Sequence, residues 1–160
     1  MSRSPKCATI WLHPFPPPHR KPVPDLSAQY WPIEQLPGLN ASDRRKLKHF
    51  GLVTTADLLN VAQSGNCHKT TVAAQLQTKV ERLNRWLAMA DLARLPAVGC
   101  QYCGLLLHAG MLSVTDLSAA SAPQLHRLIQ RLHVSTLRSV RNCPSVAQVS
   151  QWIYQARHLG

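Results

Sequence analysis

Apolar residues recur at steps of three and four in one stretch of the chain: Val72, Leu76, Val80, Leu83, Leu87 and Ala90 form a single stripe. That period is helical, and it predicts one long helix from about Thr71 to Arg94. Lys79, Arg82 and Arg85 fall near one another on its opposite side. "SAPQ" at Ser121–Gln124 predicts a further helix start with Pro123 in the first turn. "SVAQ" at Ser145–Gln148 starts the last helix, which carries Val149, Trp152 and Ile153. From Gln29 onward no segment alternates convincingly at period two, so the expected fold class is all-α.

The pattern also repeats. "LPGLNASDRRKLKHFGLVTTADLL" at Leu36–Leu59 returns in outline as "LPAVGCQYCGLLLHAGMLSVTDLS" at Leu95–Ser118. Without gaps, Leu36 falls on Leu95, Pro37 on Pro96, Leu47 on Leu106, His49 on His108, Gly51 on Gly110, Asp57 on Asp116 and Leu58 on Leu117. Later, "WLAMA" at Trp86 matches "WIYQA" at Trp152 at a larger offset, so the second copy is longer between its helices. An internal duplication explains this better than chance. The expected division is a tail over residues 1–28, a first repeat over 29–94 and a second over 95–160.

Each copy carries local punctuation. Gly51 and Gly110 follow apolar helical segments and precede Leu52 and Met111. That is the pattern of a left-handed glycine ending a helix, with an apolar residue packing back on it. "TTAD" at Thr54–Asp57 and "SVTD" at Ser113–Asp116 read as helix N-caps with reciprocal acidic partners, each contributing about 1 kcal/mol. Asp57 and Asp116 are thereby structural rather than catalytic. His49 and His108 sit in a last helical turn, where a cation is favoured by the negative helix end.

Before the repeats lies a different composition. Most of the 12 prolines fall in residues 1–28, including "HPFPPPHRKPVP" at His13–Pro24. Proline fixes φ and lacks a donor, so the tail is expected to be extended polyproline II. It serves either as a plain leader or as a docking segment with Trp11 and Phe15 as apolar anchors.

Charge narrows the partners. The 160 residues hold 18 Lys and Arg against 7 Asp and Glu, a formal charge of +11. Such a field recruits polyanions, although it also serves solubility alone. Five cysteines, at positions 7, 67, 100, 103 and 143, do not form a disulfide framework and point to a reducing, cytoplasmic compartment. No stretch approaches the roughly 18 apolar residues of a membrane span, so no membrane insertion is expected.

A short bend of the form apolar–x–Gly–apolar–Gly between two helices marks the helix-hairpin-helix motif. "LPGLN" at Leu36–Asn40 and "LPAVG" at Leu95–Gly99 resemble it. From about Trp31 to Leu159 the chain resembles a tandem helix-hairpin-helix family, frequent in cyanobacteria and catalogued as a domain of unknown function. The resemblance is carried by "LPGL", the glycine-to-"DLL" segment, "W...ADL.RL", the second bend and "PS..QV..WI..A". It implies two tandem helix-hairpin-helix repeats packed as a compact helical domain. It further implies binding of nucleic-acid phosphates without sequence preference: glycines admit backbone N–H groups to a phosphate, and the next helix offers its positive end.

Both bends depart from the motif. The first keeps Gly38 but has Asn40 in the second glycine's place; asparagine tolerates the left-handed region, so the turn is expected to survive. The second keeps Gly99 but has Ala97 first, where a methyl hinders a positive φ. Asp43 would occupy the positive end of the first helix and repel phosphate, against Arg44, Arg45, Lys46 and Lys48 in the same helix. The expected nucleic-acid-binding residues are therefore Gly38, Asn40, Arg44, Arg45, Lys46, Lys48, Gly99, Arg127 and Arg131. Arg138 and Arg141 extend the late basic run.

Cys100 and Cys103 spell C-x-x-C, but Cys67, His68 and His108 complete no recognisable zinc spacing, and no βαβ unit accompanies them as in redox pairs. No nucleophile–base pair, Walker loop or set of paired carboxylates is present. The expectation is a non-enzymatic module that binds DNA or RNA backbone nonspecifically and needs no cofactor or metal. The alternative is a protein-interaction adaptor that meets an acidic protein through its helical surface and Pro-rich tail.

Overall fold

Six leucines at matching places in the two similar sequence stretches lie wholly inside the molecule: Leu36, Leu47 and Leu58, then Leu95, Leu106 and Leu117. The computed structural model describes residues 26–137 and 143–159. Among them are eight helices: α1 Ala41–His49, α2 Thr55–Gln63, α3 Asn66–Gln75, α4 Val80–Ala93, α5 Gly99–His108, α6 Val114–Ala119, α7 Ala122–Leu137 and α8 Val146–Leu159. A 3-10 turn at Ile33–Gln35 precedes them. The described residues form no strand, and a lone bridge pairs Pro32 with Thr54. The chain is all-α, as its periodicity predicts. The polyproline tail with Trp11 and Phe15, Cys7, Arg138 and Arg141 lie outside the described residues.

Helix ends follow local chemistry. Leu52 N–H donates to Leu47 O at 2.9 Å and Gly51 N–H to Lys48 O at 3.0 Å, with Gly51 at φ +77°. Met111 and Gly110 repeat these bonds onto Leu106 and Leu107, with Gly110 at φ +89°. Both are Schellman closures around a left-handed glycine. Thr54 and Ser113 cap α2 and α6 through the N–H groups of Asp57 and Asp116. The Asp57 carboxylate in turn accepts from Thr54 N–H, while that of Asp116 accepts from Leu112 N–H instead.

The long helix expected over 71–94 is two helices. Its apolar stripe is kept, but the chain turns between Gln75 and Val80. Gln77 adopts φ +50°, and Thr78 N–H closes onto Ala73 O at 2.9 Å. The same closure that glycine makes elsewhere is made here by glutamine, at a cost that the buried Val72, Ala73 and Leu76 offset by packing.

α4 lies against α2, α3 and α5, and α8 against α6 and α7, with one continuous core. α7 has 16 residues against 10 in α3. Trp31 fastens the entry segment: its N–H donates to Thr55 Oγ1 and its indole Nε1 to Ala93 O, both at 2.9 Å.

Candidate nucleic-acid interface

The two bends are built differently. In the first, Gly38 is exposed at φ +77°. Asn40 is extended, at φ −79° and ψ 168°, and its side chain accepts from Asp43 N–H at 2.7 Å. It is the N-cap of α1 rather than a substitute for the second glycine. An asparagine oxygen in that place satisfies a free helix donor, which favours this geometry over a left-handed turn.

In the second bend the left-handed residue is Gly99, at φ +54°, and Ala97 is not left-handed. Gly99 is buried, and a Cβ there would stand 3.4 Å from the Trp31 ring. Ala97 N–H donates to Gln155 Oε1 and Ala97 O accepts from Trp152 Nε1, both at 2.9 Å. A core contact thus occupies the Ala97 N–H, the donor of this pair that a phosphate could otherwise take. Of the residues expected at the interface, Gly99 faces inward.

The basic helix α1 is also rearranged by its surroundings. Asp43 is buried, and Arg82 Nη2 of α4 donates to its Oδ2 at 2.6 Å. The carboxylate expected to repel phosphate is neutralised from outside its own helix. Lys48 pairs with Glu34, and that hydrogen bond, aided by a backbone bond and by Arg44, holds the Glu34 carboxyl below its usual range. No carboxylate among the described residues pairs with Arg44, Arg45 or Lys46. Arg44 and Lys46 are half-buried, Arg45 is exposed, and Arg44 Nε is buried without a partner among the described residues.

Beside Gly38 opens a cleft of about 710 Å³, whose rim carries Lys79 just before α4, Arg82 and Arg85 of α4, and His108 of α5. Arg82 spans the Trp86 ring, 5.6 Å from its centroid. Helical spacing alone places Lys79, Arg82 and Arg85 near one another but does not mark them as a site. The available signal was the absence of these cations from the matching part of the second copy. Arg127 and Arg131 are exposed on α7, which packs against α8 and α5, and neither lines this cleft.

The C-x-x-C pair sits in α5. Burial pushes the Cys103 thiol up to about 12, with Cys100 adding to the shift, and burial likewise raises Cys100. A thiol raised in this way is disfavoured as the thiolate that a redox nucleophile needs. Among the described residues no three His, Cys, Asp or Glu side chains cluster as a metal site would require. Nor is any described helix long and apolar enough to cross a membrane.

Compared with known proteins, residues 37–159 match the family model described as Domain of unknown function (DUF4332). No curated protein matches the chain. No solved structure does either.

Proposed function

We propose that this chain, which belongs to the DUF4332 family through residues 37–159, is a non-enzymatic module that holds the phosphate backbone of DNA or RNA without sequence preference. In this proposal each repeat is a helix-hairpin-helix unit, and only the first meets the ligand. One observation carries it. The first bend is open to solvent beside Arg44, Arg45 and Lys46, and the carboxylate that would oppose them is already paired with Arg82. The second bend, by contrast, spends its backbone on Gln155 and Trp152.

Fluorescence polarisation with labelled oligonucleotides at rising salt tests this. Each phosphate contact contributes about 0.9 to the slope of log K against log salt on duplex DNA. The triple variant R44Q/R45Q/K46Q is expected to lower both affinity and slope. Lys48 is left in place because Glu34 already takes its charge. No binding at low salt would end the proposal.

A second reading has its own observation. α7 exposes Leu128 and Val134 beside Arg127 and Arg131, an apolar and cationic face suited to an acidic protein partner. Nuclease-insensitive recovery of one protein, lost when residues 1–28 are removed, would favour an adaptor over a nucleic-acid module.

A further inference from the structure

The two repeats share a frame, and its second version is closed while the first is open. Matching Trp86 with Trp152 places Lys79, Arg82, Arg85 and Met89 where the second repeat has Ser145, Gln148, Gln151 and Gln155. In the second repeat, Gln155 and the Trp152 indole clamp the Ala97 backbone onto α8. Ser145 accepts from Gln148 N–H at 3.2 Å at the start of that helix. In the first repeat Met89 has no oxygen to offer, and its Cε lies 3.8 Å from where a Cβ on Gly38 would stand. Lys79 stands at the start of α4 without a side-chain cap bond. Three neutral side chains are replaced by three cations, and the clamp is replaced by a cleft of about 710 Å³.

We propose that this cleft seats a single phosphorylated nucleotide, its phosphate against Lys79 and Arg85 and its base on the floor made by Met89 and Leu107. The volume lies within the ~300–1,000 Å³ of small-molecule sites and is far larger than a lone phosphate needs. An apolar floor under a cationic rim suits a ligand with one planar apolar part and one anionic part. Arg82 is a wall rather than a ligand group, because it spans Trp86 and holds Asp43. Among the described residues Glu81 is the one carboxylate on the rim, set against Lys79, Arg82 and Arg85. This proposal deepens the phosphate-binding reading of the first repeat and rests on it, but it is tested without a nucleic acid.

Titration calorimetry of the full chain at low salt, with adenosine 5′-monophosphate, adenosine and inorganic phosphate as separate probes, decides it. The variant K79S/R85Q carries the residues of the second repeat at two exposed positions, so the core is untouched. Adenosine monophosphate is expected to saturate one site and to weaken by about tenfold or more in that variant, since two charge-assisted contacts are lost. The variant R44Q/R45Q/K46Q is expected to bind it unchanged, and adenosine or phosphate alone to bind more weakly. Absent saturation, or equal affinity in K79S/R85Q, overturns the proposal, and so does phosphate binding as tightly as the nucleotide. Oligonucleotide binding that survives while the mononucleotide fails sinks the cleft alone. The reverse result sinks the backbone reading alone.

Discussion

Arg82 Nη2 donates to Asp43 Oδ2 at 2.6 Å and ties α4 to α1 across 39 residues of chain. Asp43 is buried, so the guanidinium is what makes its charge tolerable there. Arg82→Gln is expected to cost about 1.5–3 kcal/mol in urea unfolding, the range for a lost hydrogen bond to a charged group. The double variant D43A/R82Q should be less destabilised than the sum of the two single changes, because it leaves no lone carboxylate. Strict additivity would show the pair to be uncoupled.

Lys79 gives α4 a cation where Ser145 gives α8 a hydroxyl cap. Lys79→Ser is expected to stabilise the protein by about 0.5–1 kcal/mol through the restored cap. That corresponds to a rise in Tm of roughly 2 °C for a chain of this size. The same variant is expected to bind the mononucleotide less well. An unchanged or lowered Tm by scanning calorimetry would mean that the start of α4 gains nothing from a capping hydroxyl.

Gln155 is a buried polar side chain whose oxygen takes the Ala97 N–H. Gln155→Met installs the residue of the first repeat and removes that acceptor. The expected loss is about 1–2 kcal/mol, since the N–H is left part-buried without a partner. Stability equal to the parent chain would show that the second bend does not depend on the clamp.

The capping box at α2 predicts a pH dependence. Burial alone would raise the Asp57 carboxyl, but the Thr54 N–H, the Thr54 hydroxyl and the Val53 N–H outweigh it and hold it below its usual range. A carboxyl lowered by folding stabilises fully above its unfolded pKa and loses that contribution as pH falls through the folded value. The stability gap between the parent and Asp57→Asn should therefore be widest near neutrality and narrow as pH drops below about 4. A gap that is flat from pH 7 to pH 3 would contradict the assignment.

Where a feature is local, it was legible. The closures at Gly51 and Gly110 and the caps at Thr54 and Ser113 involve residues at most five apart, so their chemistry is written in the order of the chain. The burial of the matched leucines follows from period and repetition. The break at Gln77 was hidden because neither glycine nor proline marks it, and the apolar stripe continues straight through. The site was less legible than the fold. Whether Asp43 opposes phosphate depends on Arg82, and whether the second bend is accessible depends on Trp31, Trp152 and Gln155, all far away in the chain. Lys48 looked as free as Lys46 until Glu34 was placed beside it.

Trp31 lies ahead of α1 and Gly99 opens α5, yet the indole lies over that glycine and is pinned to Ala93 at the end of α4. Severing the halves there would strand a bare indole on one piece and an uncovered bend on the other. Neither segment is then a detachable bead, and a truncation between Ala93 and Gly99 cuts through a joint that the Trp31 indole closes.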